Sequence, residues 1–273
     1  MPIIADYHMH SDHSADSEAP MEEMVQSSID KDLKEICFTE HHDLDYPEYP
    51  DVTRDTFTLD IPSYKKELFS LREKYKDRIV IRFGIEVGMQ AHLSKRNLAD
   101  VQSEAFDFVI ASQHLVGRRD PFYPGFWEPD TVENIFLQFF DETYGNMTDF
   151  HDFDVLGHLD YIARYVPEGD TTYSYERFSE KIDRILLWLI ENGKGLDVNS
   201  KVLSLDEKLP PNPHPDVLRR FKELGGSIIT FGSDAHSPAK VAGHFEKLAQ
   251  IARDCGFSEY YTFEARKPIP HRL

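Results

Sequence analysis

Ile79-Val80-Ile81-Arg82-Phe83-Gly84-Ile85-Glu86 is a nearly unbroken apolar run that ends on a carboxylate. Its length and β-branched content read as a buried strand. Just upstream, Ser63 to Tyr75 reads as a helix, with Ser63 as its cap and Glu67 near its first turn. The same helix-then-strand pairing recurs outward in both directions. Met21–Lys31 precedes Glu35–Thr39, Thr131–Tyr144 precedes Asp154–Leu159, and Tyr175–Glu191 precedes Gly195–Asn199. Asp216–Leu224 precedes Ser227–Gly232, and Ala239–Cys255 precedes Tyr260–Phe263. Ile3–Tyr7 and Phe106–Ser112 are further strands. The clearest helix is Tyr175–Glu191, where Phe178, Ile182, Ile185, Leu186 and Leu189 form one stripe and Asn192-Gly193 follows as a stop. Such alternation predicts a parallel sheet with crossover helices.

The chain has 273 residues and a formal net charge of -19. So acidic a surface repels phosphate backbones and anionic lipid, which argues against nucleic-acid and membrane partners. Any phosphate it handles needs local positive charge, from metal ions or placed Arg and Lys. Cys37 and Cys255 form no Cys-x-x-Cys pair and read as small buried hydrophobes. The N-terminus reads as no signal peptide and no run reaches membrane-spanning length, so a cytoplasmic protein is expected. No linker, repeat or low-complexity tract interrupts the alternation, so residues 1–273 are expected to form a single domain. Asp43–Thr58 and Gly117–Asp130, rich in Pro, Tyr and Asp, read as loops or lids.

Metal-capable side chains gather at the C-terminal ends of the expected strands. They are His8 and His10, Glu40-His41-His42, Glu86, His114, His158, and Asp234 with His236. In a barrel of parallel strands those ends share one face, where active sites are built. The i, i+2 spacing of His8/His10 and of Asp234/His236 puts each pair on one side of a strand. Glu86 after an apolar strand needs a partner, because an unpaired buried carboxylate is costly. One histidine at a strand end is usually structural, but the whole set points to a metal site. Imidazole and carboxylate donors without thiolate suit Zn, Mn or Fe in an open catalytic site. The ligands are too many for one ion, and Glu86 is the natural bridge.

These pieces resemble the PHP (polymerase and histidinol phosphatase) superfamily of metal-dependent phosphoesterases. The matching segments are Asp6-Tyr7-His8-Met9-His10-Ser11, Thr39-Glu40-His41-His42, Gly84-Ile85-Glu86, Ser112-Gln113-His114, Gly157-His158-Leu159-Asp160 and Gly232-Ser233-Asp234-Ala235-His236. The resemblance implies a distorted (β/α)7 barrel of the TIM-like α/β class holding three divalent ions. It assigns His8, His10, Glu86 and Asp234 to one ion, and Glu86, His114 and His158 to a second. Asp16, His41 and His236 go to the third, where many relatives carry His in place of Asp16 and where His13 is the alternative. Within the superfamily the chain is most similar to the monofunctional L-histidinol-phosphate phosphatases. That narrower likeness rests on Val155–Tyr165 and on Tyr261-Thr262-Phe263-Glu264-Ala265-Arg266-Lys267-Pro268.

The implied activity is hydrolysis of L-histidinol phosphate, a step of histidine biosynthesis, by attack of a hydroxide bridging two metals, with Glu86 and Asp234 in the catalytic centre. Arg164 is expected to clamp the phosphate, assisted by Lys201, which stands where relatives often place Arg. His42 is expected to contact substrate or protonate the leaving alcohol, and Asp160 to orient a ligand or Arg164. The alternatives are a PHP phosphoesterase for a nucleotide or sugar phosphate, a nuclease or proofreading module, and a non-catalytic metal-binding protein. The acidic balance disfavours the nuclease.

Overall fold

A computed structural model describes residues 3–273. Strands β1 (Ala5–Asp6), β2 (Glu35–Phe38), β3 (His41–His42), β4 (Val80–Gly88), β5 (Phe108–Ser112), β6 (Val155–Leu156), β7 (Gly195–Asn199) and β8 (Ile229–Gly232) form one parallel sheet in the order β1-β2-β4-β5-β6-β7-β8. Strand β3 continues the stave of β2 and pairs with β4, His41 opposite Glu86. The sheet closes on itself. Tyr7 N donates to Phe231 O (2.9 Å), and Met9 bridges Ala235 in parallel. The result is the expected barrel with seven staves.

The crossovers are α1 (Met21–Asp30), α2 (Ile61–Tyr75), α3 (Ser94–Gln102), α4 (Val132–Asp149), α5 (Tyr175–Glu191) and α6 (Pro215–Glu223), and α7 (Phe245–Asp254) follows the last stave. Helix α5 buries its predicted stripe completely. Each such side chain withdrawn from water contributes about 1.5–3 kcal/mol, so this one face holds the helix firmly to the barrel wall. Ser174 Oγ accepts from Arg177 N at its start, and Gly193 takes φ +66° just past its end.

Several expectations are corrected. Helix α2 begins at Ile61, and its cap is Asp60, whose carboxylate accepts from Ser63 N (3.1 Å). Helix α3 was missed because Ser94–Gln102 buries only Asn97 and Val101, too little for a readable stripe. The segment expected as one helix from Ala239 opens in a short 3-10 turn, Pro238–Lys240, and is α-helical only from Phe245. Its first carbonyls are taken instead by Lys31 Nζ, which donates to Ala239 O (2.9 Å) and Val241 O (2.6 Å).

Tyr260–Phe263 is a strand but not a stave of the barrel. Strand β9 (Glu259–Glu264) pairs antiparallel with β10 (Lys267–Arg272) in a separate hairpin. Phe263 inserts among Ala5, Tyr7, Cys37, Phe108, Ile110 and Val155, and Tyr7 OH donates to Phe263 O (2.8 Å). The hairpin thereby plugs the end of the barrel opposite the strand C-termini. Cys37 and Cys255 are both free and buried, as expected. No helix among the described residues is long and apolar enough to cross a membrane.

Candidate metal centre

The C-terminal strand ends converge as anticipated, with Glu86 at the middle. Its Oε2 lies 3.2 Å from His8 Nε2, 3.0 Å from His41 Nδ1 and 3.5 Å from His10 Nε2. Its Oε1 lies 3.2 Å from His114 Nε2 and 3.1 Å from His158 Nε2. Asp234 Oδ1 stands 3.6 Å from His10 Nε2 and 3.6 Å from His236 Nδ1. Asp16 Oδ2 faces His236 Nε2 (3.0 Å) and His41 Nε2 (3.7 Å) at the mouth, where 42% of its side chain is exposed. His13 turns away, its Nε2 against Glu67 Oε2 (3.1 Å), so geometry favours Asp16 over His13 as the donor at the mouth.

Asp234 and His236 do not owe their proximity to strand alternation. Strand β8 ends at Gly232, and Asp234 adopts φ +51°, a left-handed conformation that Asp tolerates better than most residues. The bend keeps Asp234 N on His8 O (2.7 Å) while turning its carboxylate over the cluster.

The chemistry of the donors fits metal ions. His8 Nε2, His10 Nε2, His41 Nδ1 and Glu86 Oε2 are buried without a hydrogen-bond partner, though carboxylate oxygens or imidazole nitrogens lie nearby. Each such orphan costs about 1–3 kcal/mol. A set aimed at one point is what ligands without their ion look like. Among the described residues, four groups have donor atoms within 4.8 Å of one another: His8/His10/Glu86, His41/Glu86/His114, His8/His158/Asp234 and His10/His41/His236. Only the first falls within one expected set; the other three mix the sets, and the His10 ring stacks on His41 (4.2 Å) and lies tilted against His236 (4.3 Å). The cluster is continuous rather than three separate pockets.

The back sides of three of the imidazoles are held, which the sequence reading did not foresee. His8 Nδ1 meets Asp197 Oδ2 (2.9 Å), His114 Nδ1 meets Asp43 Oδ1 (2.7 Å) and His10 Nδ1 meets Ser14 Oγ (3.2 Å). Acceptors at Nδ1 fix the tautomer and leave Nε2 free to bind an ion. Ser112 Oγ likewise donates to Glu86 Oε1 (2.6 Å). Two glycines make room for these props. A Cβ on Gly88 would lie 1.9 Å from Asp43 Oδ1, and one on Gly232 would lie 2.3 Å from His8 Cβ. Asp197 carried a signal that was overlooked: it interrupts an apolar strand just as Glu86 does.

Electrostatics divides the imidazoles into two kinds. Burial opposes charge on His8, but Glu86, Asp197 and Asp234 together hold its pKa well above the ordinary value. Burial is likewise outweighed at His41 by Asp16 and Glu86, and at His114 by Asp43 and Glu86, which push His114 up to about 9. Burial wins at His10, helped by the neighbouring His41 and His236, and at His158, which falls to about 4. Burial would protonate Glu86, yet His8, His41 and His114 keep it well below the usual carboxylate range. Asp234 is held low against burial by Lys201, His8 and Arg164.

His42 is the expectation that fails. Adjacent residues of a strand face opposite ways, so with His41 turned inward His42 points outward. Its Nε2 meets Asp100 Oδ2 on α3 (3.2 Å), and its Nδ1 accepts from Leu59 N (3.3 Å). It neither lines the cavity nor reaches the cluster, so its expected substrate and proton-donor roles have no geometric basis.

Above the cluster opens a cavity of about 450 Å³. Arg164 and Lys201 stand on one side, Arg164 Nη1 donating to Asp234 Oδ2 (3.3 Å) and Lys201 Nζ to Asp234 Oδ1 (3.0 Å). The two long loops and the turn Tyr161–Tyr165, which carries Arg164, complete the lining with Tyr46, Phe57, Tyr123, Tyr161, Asp51 and Asp120. The loops are pinned together. Tyr46 OH donates to Asp120, Tyr49 OH accepts from Asp120 N (2.9 Å), and the Tyr49 and Tyr123 rings stack. Burial raises the pKa of Asp120 and of Tyr46.

The family model of the PHP domain matches residues 6–201, most of the span that carries these ligands. The chain belongs to the PHP domain family. Among curated PHP relatives, the histidinol-phosphatase of Lactococcus lactis is 33% identical over 264 residues, spanning 96% of this chain and 95% of that protein. The histidinol-phosphatase of Saccharomyces cerevisiae is 21% identical over 316 residues, spanning 98% and 93%. The crystal structure of the Lactococcus lactis histidinol phosphate phosphatase, complexed with Zn, L-histidinol and phosphate, superposes with a TM-score of 0.88 and covers 97% of this chain and 98% of that one.

Proposed function

We propose that the protein is a metal-dependent phosphomonoesterase that hydrolyses L-histidinol phosphate to L-histidinol and phosphate. The observation that carries this reading is the cavity over the His/carboxylate cluster, whose lining joins Arg164 and Lys201 beside Asp234 with the aromatic and acidic side chains of the two loops. The likeness to a histidinol phosphate phosphatase over nearly the whole chain supports it.

In this reading His8, His10, Glu86, His114, His158 and Asp234 would hold divalent ions, and Asp16, His41 and His236 would hold a further ion at the mouth. The nitrogen and oxygen donors suit zinc, manganese or iron. Such ions supply an activated water and neutralise phosphoryl charge. The protein's own groups do the rest. Arg164, with a guanidinium fixed by three acceptors, presents a rigid fork to the phosphoryl oxygens. Lys201 adds a mobile point charge beside it. The loop aromatics and the carboxylates of Asp51 and Asp120 face the alcohol portion, where a cationic amine or an imidazole would find stacking and opposite charge. The pinned loops limit water around the ester. Hydrolysis forms a new P–O bond from water and breaks the P–O bond to the alcohol, whose oxygen leaves with a proton.

Phosphate release from L-histidinol phosphate, AMP, a sugar phosphate and p-nitrophenyl phosphate tests the assignment. A preference of about a thousandfold for L-histidinol phosphate, about 4 kcal/mol of differential transition-state binding, is expected. Even turnover across the panel would contradict it.

A further inference from the structure

Every nitrogen of Arg164 is committed. Nε donates to Asn212 Oδ1 (2.7 Å), Nη1 to Asp234 Oδ2 (3.3 Å) and Nη2 to Asn199 Oδ1 (3.1 Å). The guanidinium also lies over the Tyr161 ring, 5.2 Å from its centroid. Asn212 is itself held from behind. Its main chain exchanges hydrogen bonds with Asn199 (2.7 and 3.2 Å), and its Nδ2 donates to Asp160 Oδ1 (2.6 Å). The other oxygen of Asp160 accepts from Tyr173 OH (2.6 Å) and His214 N (2.7 Å). Asp160 is fully buried and does not line the cavity.

A primary amide presents a donor on one side and an acceptor on the other, and only its partners decide which faces where. Asp160 receives three donors and acts as an acceptor throughout. It therefore draws Nδ2 of Asn212 to itself and leaves Oδ1 as the only group that can meet Arg164 Nε. If the amide were reversed, a donor would face a donor, and the guanidinium would lose the contact that sets its plane. We infer that Asp160 is a positioning residue for the phosphate clamp, acting through the polarity of the Asn212 amide. The inference rests on the functional reading only in taking phosphate as the group that Arg164 meets.

The swap D160N/N212D tests it. In D160N the new amide donates toward Asn212, whose own amide reverses and turns Nδ2 on Arg164. In D160N/N212D the donor from residue 160 is met by a carboxylate, which also accepts from Arg164 Nε, and the net charge is that of the parent. Calorimetry of inorganic phosphate into zinc-loaded protein reads the clamp, and L-histidinol measured in parallel reads the rest of the cavity. D160N is expected to weaken phosphate binding about tenfold, the scale of one hydrogen bond to a charged group. L-histidinol binding should stay nearly unchanged, and the double variant should recover most of the loss. Y173F, which removes one donor from Asp160, provides a milder variant with a loss of about threefold if D160N does not fold. Unchanged phosphate affinity in the single variants, equal loss of both ligands, or no recovery in the swap would overturn the inference. Wild-type protein that binds phosphate without releasing it from L-histidinol phosphate would count against the functional reading and leave this inference standing.

Discussion

Asp197 offers the sharpest test of how the centre is built, because it never reaches an ion yet should control one. Its Oδ2 accepts from His8 Nδ1 at 2.9 Å between two fully buried side chains, and Asn199 Nδ2 donates to the same oxygen (3.2 Å). Thr230 Oγ1 stands 3.5 Å from its other oxygen. In Asp197→Asn an amide oxygen can still accept from His8, while the new NH2 falls beside the Thr230 hydroxyl, so the shape and pairing survive and only charge is lost. A hydrogen bond to a charged group contributes about 1.5–3 kcal/mol against about 1 kcal/mol for a neutral one. The loss is therefore about 1–2 kcal/mol, or about tenfold in affinity for the ion that His8 holds. Asp197→Ala removes the bond entirely and frees the His8 ring to change tautomer, which should cost about a hundredfold. Competition with a chromogenic zinc chelator gives the dissociation constants, and melting of the metal-free proteins separates binding from folding. Zinc affinities for both variants within about twofold of wild type would refute the claim that the groups behind the imidazoles tune the centre.

Other outcomes follow from the same geometry. Glu86→Gln should lose bound metal and activity together, measured by elemental analysis and phosphate release, since one carboxylate faces five imidazoles. Zinc loading at neutral pH should release about two or more protons per chain, because His8, His41 and His114 hold protons above their usual range until the ion displaces them. Zinc affinity should accordingly rise with pH through about 9, the region where His114 gives up its proton. Calorimetry in buffers of different ionisation heat checks both points. Arg164→Ala should lower kcat/KM by about a hundredfold and Lys201→Ala by about tenfold, the half-buried lysine being the weaker contact. Gly88→Ala should displace the Asp43 carboxylate, costing about 1–3 kcal/mol of stability and weakening zinc at the His114 end, read by melting and by chelator competition.

The barrel was legible because its staves are buried on both faces and so appear as continuous apolar runs between amphipathic helices. The β9–β10 hairpin escaped because Tyr260–Phe263 has the same residue types whether it joins the barrel or plugs it. The metal-ligand candidates were legible because several strand ends repeat one kind of chemistry. Two things hid the remaining site residues. Face parity at a two-residue strand is set by its register on β4, which places His41 opposite Glu86 and sends His42 outward, and no local pattern encodes that. Asp43 and Asn212 act through contacts with residues 71 and 48 positions away, so nothing in their own neighbourhoods marks them, whereas Asp197 is marked only by interrupting an apolar strand.

The most direct test of the account is phosphate release from L-histidinol phosphate by metal-stripped protein titrated with zinc or manganese, with bound metal counted at each point. The account predicts no turnover without metal, activity rising as the cluster fills, and saturation near three ions per chain, the number the family resemblance implies. Full turnover by the stripped protein, or a filled cluster with no turnover of L-histidinol phosphate, would contradict it.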